Sequence, residues 1–248
     1  MKLNIKNKKK ILWKGKFHKF PENKINFFET DLWIKKLKKN MKFIKENNLF
    51  YDYLIYPIIL SELKINKKTK ILDFGGGLGE LYFKLDNFIE KKFKFDLTIV
   101  ENKKICKIAN KSFKNRKNIK FYENLNKINY KNFQIVHLGS CIQYINLWKD
   151  LIKSVSNFKP KYIVFSDVPL IKKKNFISKQ VFNKTKIIPY RFINNKELID
   201  CLKNNNYDLV SIVPFKNPTY YLQKVLPMRN FKKENRIKNT SNLLFKRK

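Results

Sequence analysis

The chain has 248 residues, 43% of them hydrophobic and 15% aromatic, which is enough for one large α/β domain with additions and excludes a chain that stays unfolded. Its 56 lysines and arginines against 19 acids give a formal net charge of +37, a balance that admits nucleic acid or an anionic membrane surface as a partner. Cys106, Cys141 and Cys201 are far apart with no C-x-x-C pair, against a disulfide framework or a zinc site, and no apolar run approaches the ~18 residues of a membrane span.

The first ten residues, Met1 to Lys10, are basic but lead into Ile11-Leu12-Trp13-Lys14 without a hydrophobic h-region, so the expectation is a cytoplasmic protein with no signal peptide. The arginines are Arg116, Arg191, Arg229, Arg236 and Arg247; nearly all the basic charge is lysine. Phosphate and base recognition leans on arginine forks. Lysine here also travels with asparagine and isoleucine along the whole chain, the mark of a compositional bias. A solvated lysine surface is therefore favoured over a dedicated groove, and any contact with nucleic acid or a peripheral membrane surface is expected to be non-specific and sensitive to salt. The same field would draw anionic small molecules towards a cleft.

In chain order, Trp33, Leu37, Met41 and Ile44 recur at helical spacing between Thr30 and Asn47, predicting an amphipathic helix whose stripe packs. A second helix is expected over Phe50–Leu63, kinked or divided at Pro57. Strand and helix then alternate, as in a parallel sheet covered on both faces. The expected strands are Lys70–Phe74, Asp96–Glu101, Ile119–Tyr122, Phe133–Leu138, Tyr162–Phe165, Tyr207–Val213 and Asn242–Lys246. The helices between them are expected near Gly79–Glu90, Lys103–Phe113, Leu147–Val155 and Asn194–Asn204. A basic connection, Ile171–Tyr190, is long enough to be a substrate lid, and Lys216–Thr240 reads as an insertion, with Thr219–Val225 the less favoured seventh strand. The domain plan is a basic, helical amino-terminal extension over 1–49 and an α/β domain over 50–248.

The organising stretch is Ile71-Leu72-Asp73-Phe74-Gly75-Gly76-Gly77-Leu78-Gly79: a short apolar strand, an acid at its carboxyl end, a glycine turn and a helix start. Such a turn aims unpaired helix N–H groups at a ligand, in dinucleotide folds and in S-adenosylmethionine (SAM) folds alike. The dinucleotide fingerprint G-x-G-x-x-G would need its third glycine at position 80, which is Glu80. Asp73 stands where a carboxylate can contact the ammonium of a methionine moiety and would repel a pyrophosphate. Across the carboxyl ends of the strands the order also gathers Glu101, Tyr122 and Glu123, Ser140 to Tyr144, and Ser166-Asp167. Glu101 ends an apolar strand, where it can accept both ribose hydroxyls or serve as a plain surface acid. Tyr122 or Glu123 could border an adenine or be turn residues. Asp167, Glu123 and His137 are the candidates for a general base, although His137 falls inside an apolar strand and reads more readily as core.

Leu-Asp-Phe-Gly-Gly-Gly-Leu-Gly resembles the first motif of the class I SAM-dependent methyltransferases, and Phe133 to Ile145 resembles their fourth, with Gln134 in place of the usual aspartate. A narrower likeness lies in Asp73-Phe74-Gly75-Gly76-x-Leu78-Gly79, Tyr82-Phe83, Val100-Glu101, Ser140-x-x-Gln143-Tyr144 and Lys161-Tyr162-Ile163. These look like a family of bacterial methyltransferases found with surface-polysaccharide biosynthesis genes; Trp13-x-Gly15-x-Phe17 and Leu243 to Arg247 match its first and last segments. The resemblance runs over most of the chain and is firmest from Lys70 to Pro169. It implies a Rossmann-like fold with about seven mostly parallel strands, SAM as cofactor, and a sugar or polysaccharide-precursor acceptor. Asp73, Gly75, Gly77, Gly79 and Glu101 would be the SAM set, with Ser140 bordering it and Gln143 and Tyr144 near the transferred methyl. The family carries Asp-Arg-Thr-Pro after its fifth strand where this chain has Ser166-Asp167-Val168-Pro169, which weakens a catalytic role for Asp167. The alternatives are an RNA or DNA methyltransferase, for which the chain lacks the Asn/Asp-Pro-Pro-Tyr/Phe motif and paired cysteines, and a catalytically silent SAM-fold protein that binds nucleic acid or anionic membrane.

Overall fold

The computed structural model describes residues 12–21, 26–47, 54–182, 186–215 and 226–248. In chain order the elements are β1 (Trp13–Phe17), α1 (Asp31–Asn47), α2 (Ile55–Glu62), β2 (Lys68–Phe74), α3 (Glu80–Phe88), β3 (Lys94–Val100), α4 (Lys103–Ser112), β4 (Ile119–Tyr122), β5 (Ile135–Gly139), α5 (Trp148–Ser156), β6 (Tyr162–Val168), β7 (Leu170–Ile171), β8 (Phe176–Phe182), β9 (Lys186–Asn194), α6 (Asn195–Asn204), β10 (Tyr207–Phe215) and β11 (Thr240–Arg247).

Seven of the strands form one sheet in the order β10-β11-β6-β5-β2-β3-β4, parallel from β6 to β4 and antiparallel where β11 joins β6 and β10. Successive strand residues point to opposite faces, and the sequence supplies apolar side chains for both. Ile71, Leu97, Ile135 and Val164 meet α3 and α4 on one face, together with Leu37 of α1. Leu72, Val136, Ile163 and Leu243 meet α5 and α6 on the other. The chain steps outward from β2 to β3 and β4, then returns to β5 on the other side of β2. The switch point therefore lies between β2 and β5, where Asp73 is the register partner of His137.

Asn102 ends the β3 loop and caps α4, its side-chain oxygen accepting from the Ile105 N–H at 3.0 Å. Asn194 does the same for α6 at the Glu197 N–H, 2.8 Å away. Pro57 falls in the first turn of α2, where an N–H has no intrahelical partner, so it neither kinks nor divides that helix. Gln134 fastens one strand to the next, since its Oε1 accepts from the Lys70 N–H at 2.7 Å and ties the start of β5 to β2.

A second sheet, in the order β1-β8-β9-β7, was not foreseen. The basic connection expected over 171–190 is mostly the antiparallel hairpin β8–β9, and the amino-terminal segment expected to be helical contributes Trp13–Phe17 as its edge strand. Its own core holds Trp13, Phe176, Tyr190, Phe192, Met228 and Phe231, with the Phe176 and Phe192 rings stacked at 4.6 Å. Among the described residues, the α-helix of the amino-terminal segment is α1 alone. β6 runs on to Val168, so Ser166 and Asp167 are strand residues, and β11 takes the place expected for Asn242–Lys246. Residues 1–11, 48–53 and 216–225, which include the alternative strand Thr219–Val225 and part of the expected insertion, lie outside the described residues. No helix among the described residues is long and apolar enough to cross a membrane.

Candidate functional site

A cavity of about 750 Å³ opens over the switch point, within the ~300–1,000 Å³ range of small-molecule sites. Its floor is the end of β2 and the glycine turn: Asp73, Gly75, Gly76 and Gly77, with Glu80 at the start of α3, Glu101 after β3 and Ser140 and Cys141 after β5. The rest of the lining comes from Phe28, Trp33, Lys36 and Asn40 of the amino-terminal segment, the last bonded to Glu80, from Tyr144, and from Gln180 and Phe182 of β8.

Asp73 is 3% exposed, and its carboxylate is held from below. His137 Nδ1–H donates to Asp73 Oδ1 at 2.9 Å, and the Ser166 hydroxyl lies 2.9 Å from His137 Nε2. A carboxylate accepts from Nδ1–H, and the Ser166 hydroxyl can donate to Nε2 or accept from it. The packing around this chain of groups requires glycines: a Cβ at Gly76 would run into Asp73 Oδ2, and one at Gly139 would lie 2.6 Å from His137 Cε1. His137, which the sequence favoured as core, is 8% exposed and lines the cavity while both ring nitrogens are engaged.

Glu101 is bound to the glycine turn across the strand ends. Its Oε1 accepts from the Gly77 N–H at 3.2 Å and its Oε2 from the Asn102 N–H at 2.9 Å. Burial pushes the Glu101 carboxyl up from its ordinary value, those two hydrogen bonds pull it back, and Asp73 adds repulsion. Glu80 is also pushed up by burial, against the pull of Lys84, Asn40 and Lys36. Asn102 Nδ2 donates to the Phe28 carbonyl at 3.2 Å and so fastens the amino-terminal segment to the end of β3.

Beyond the glycine turn the walls are aromatic. Phe28 makes edge-to-face contacts with Trp33 and with Tyr144, both at 5.1 Å, and Trp33 meets Phe182 at 6.1 Å. Tyr144 Oη donates to Gln180 Oε1 at 2.9 Å, and Arg191 donates to the carbonyls of Ile145 and Asn146 at 3.0 and 2.9 Å. These bonds pin the turn after β5 to the hairpin.

Among the eleven residues the sequence proposed for the site, Asp73, Gly75, Gly77, Glu101, Glu123, Ser140 and Tyr144 line the cavity, and Gly79, Tyr122, Gln143 and Asp167 do not. At Gly79 the backbone takes φ +88° and a Cβ would meet Phe113 and Ile119 at 3.0 and 3.3 Å, so this glycine lets α3 pack against its neighbours. Tyr122 packs against Tyr130. Gln143 is fully buried, and its Nε2 donates to Ser140 Oγ at 3.2 Å. Asp167 accepts from Ser140 Oγ at 2.8 Å and from Thr240 Oγ1 at 2.5 Å, which makes it a tie between β6, β11 and the turn after β5. Ser140 and Asp167 both hold left-handed backbone, φ +50° and +58°, a conformation other residues rarely keep without such ties. Glu123 sits at the rim, its carboxyl held below the usual range by Lys127 at 2.6 Å. Phe28, Lys36, Asn40, Glu80, Gln180 and Phe182 carried no signal in the sequence that marked them for the site, and Trp33 was expected only to pack.

The fold has relatives among solved structures. A SAM-dependent methyltransferase from Clostridium acetobutylicum superposes with a TM-score of 0.55 at 14% identity, over 87% of this chain and 99% of that one. One from Methanosarcina mazei gives 0.53 at 15% identity, over 77% and 97%. The magnesium protoporphyrin IX methyltransferase of Synechocystis, with SAM bound, gives 0.51 at 11% identity, over 92% and 87%. The fold is that of SAM-dependent methyltransferases. No protein-family model and no curated protein matches the sequence.

Proposed function

We propose that the protein is a SAM-dependent methyltransferase acting on a hydroxyl of a sugar or surface-polysaccharide precursor. The observation that carries the cofactor half is an inversion of charge. In a chain with 56 basic and 19 acidic residues, the cavity is lined by four carboxylates, Asp73, Glu80, Glu101 and Glu123, and by two lysines, Lys36 and Lys84. A basic protein has placed an acidic hole at the switch point of its sheet. That suits a ligand carrying a sulfonium and an ammonium and opposes a phosphate backbone. In this reading Asp73 takes the ammonium, Gly75 and Gly77 leave the backbone open to the ligand's amino-acid end, and Glu101 accepts from the ribose hydroxyls; that all four line the cavity supports it. When bound, SAM would supply an electrophilic methyl whose bond to sulfur breaks, leaving its electron pair on sulfur, as the bond to the acceptor oxygen forms and the hydroxyl proton passes to solvent. The chain's contribution is to position the partners.

The acceptor half is supported by the resemblance in sequence and by the aromatic wall, since the C–H face of a sugar ring packs on aromatic side chains. Calorimetry with S-adenosylhomocysteine (SAH) tests the cofactor, and an absence of binding would sink the enzyme reading. Incubation with methyl-labelled SAM and cell extract, fractionated into glycan, nucleic-acid and protein pools, tests the acceptor. Label is expected in the glycan pool, and label confined to nucleic acid would overturn the sugar.

A further inference from the structure

The two sides of the cavity differ in what they can hold. The acidic side is built of carboxylates and glycine backbone, whereas on the other side Phe28, Trp33, Tyr144 and Phe182 face the space with their rings at steep mutual angles, 83° for Phe28–Trp33, 69° for Phe28–Tyr144 and 64° for Trp33–Phe182. Rings packed edge to face in this way make one continuous apolar wall of the cavity. A flat molecule can lie against such a wall. One cation belongs to this side: Lys36 Nζ lies 4.5 Å from the Trp33 ring centre and 5.1 Å from that of Phe182. Its side chain keeps some contact with solvent, yet the packing around it lowers its pKa, against the pull of Glu80, whose own carboxyl is pushed up by burial. Lys84 and Asp73 are the other charged groups acting on Glu80. An ammonium held beside that wall can form a charge-assisted hydrogen bond with an anion brought in by the ligand.

We infer that the acceptor is a six-membered ring bearing one carboxylate, its flat apolar face laid against Phe28, Trp33 and Phe182 and its anionic group at Lys36. This rests on the methyltransferase reading only in naming the ligand an acceptor; the subsite itself stands on the rings and the lysine. A pyranose acid and an aryl acid share that chemistry, and the choice between them is experimental.

Trp33 is a built-in reporter. The other two of the chain's three tryptophans, Trp13 and Trp148, are 2% and 4% exposed and do not line the cavity. Tryptophan fluorescence of the full chain, with SAH present, is titrated with D-glucuronate, benzoate and neutral methyl α-D-glucoside. The expected result is a saturable change with one of the two anions, lost in Trp33→Phe and at least about tenfold weaker in Lys36→Met, while Lys36→Arg restores it. Response to glucuronate names the sugar acid and response to benzoate the aryl acid. No response to either anion while SAH binds by calorimetry would overturn the inference and leave the cofactor reading standing. An anion response unchanged in Lys36→Met, or matched by the neutral glucoside, would overturn it as well. A response with no SAH binding would keep the subsite and remove the methyl donor.

Discussion

Asp73, Gly75, Gly77 and Glu101 reach the cavity from the ends of two adjacent parallel strands, while Phe28, Trp33, Tyr144 and Phe182 reach it from three separate stretches of chain brought together by a second sheet. On the first side the backbone does most of the work: the strands fix where the acids stand, and glycines leave room for them. On the second side large side chains do it, and their places depend on Arg191 clamping the turn after β5 and on Asn102 holding the Phe28 carbonyl. One side is a property of the fold and the other a property of this chain. A cofactor shared by many proteins fits the first kind of site, and a particular acceptor the second.

That division can be broken at several points. Asp73→Ala and Glu101→Ala should each weaken SAH binding about 10- to 100-fold, the worth of a hydrogen bond to a charged group, while Trp33→Ala leaves it within about twofold. Calorimetry on the three variants reads this, and a Trp33→Ala loss as large as the others would erase the boundary between the two sides. Gly79→Ala should separate stability from binding. Its left-handed backbone and its contact with Phe113 predict a loss of about 1–3 kcal/mol in urea unfolding, with SAH affinity of the folded protein unchanged. Tyr144→Phe removes the bond to Gln180 and should cost about 0.5–1.5 kcal/mol by the same unfolding measurement, again without touching SAH affinity.

The smallest effect is a slope with pH. Burial raises the Glu80 carboxyl above its ordinary 4.5, so its contribution to stability is fully present below that value and is lost as pH rises through the folded one. Glu80→Gln does not titrate. Its stability relative to wild type should therefore rise as pH climbs from about 4.5. Denaturation curves at a series of pH values would show a flat difference if Glu80 were solvated like a surface acid.

The sequence made the first side legible because local rules apply there. The Ile119–Tyr122 strand has the bounds expected of it, and the run from Ile71 to Gly79 marks strand, acid and turn in nine residues. Gly79 shows the limit of that reading, since a glycine in a motif can be there for a phenylalanine instead of a ligand. The second side was hidden for a physical reason. The stretch after Ile171 opens on Lys172-Lys173-Lys174-Asn175 and so reads as a basic connection, while the apolar residues of its hairpin find partners far away in the chain, among them Trp13, Met228 and Phe231. Trp33 and Leu37 share a helical stripe that packs on the core, as spacing predicts, but both also line the cavity, which spacing cannot show. Asp167 was misplaced because β6 continues past its expected end at Phe165, which turns an apparent loop acid into a strand tie.

The placement of β11 between β6 and β10 has a bearing on how the polypeptide is made. Ile163, Val164 and Phe165 of β6 are completely buried with residues 240–247 paired along their edge, and those residues leave the ribosome after all the other strands described. Until they arrive, β6 presents a bare, greasy margin of unpaired amides of the kind that recruits other chains. Output of soluble protein in the cell should thus be governed by the delay between translation of Val168 and of Thr240, and slowing translation in that interval should send product to inclusion bodies.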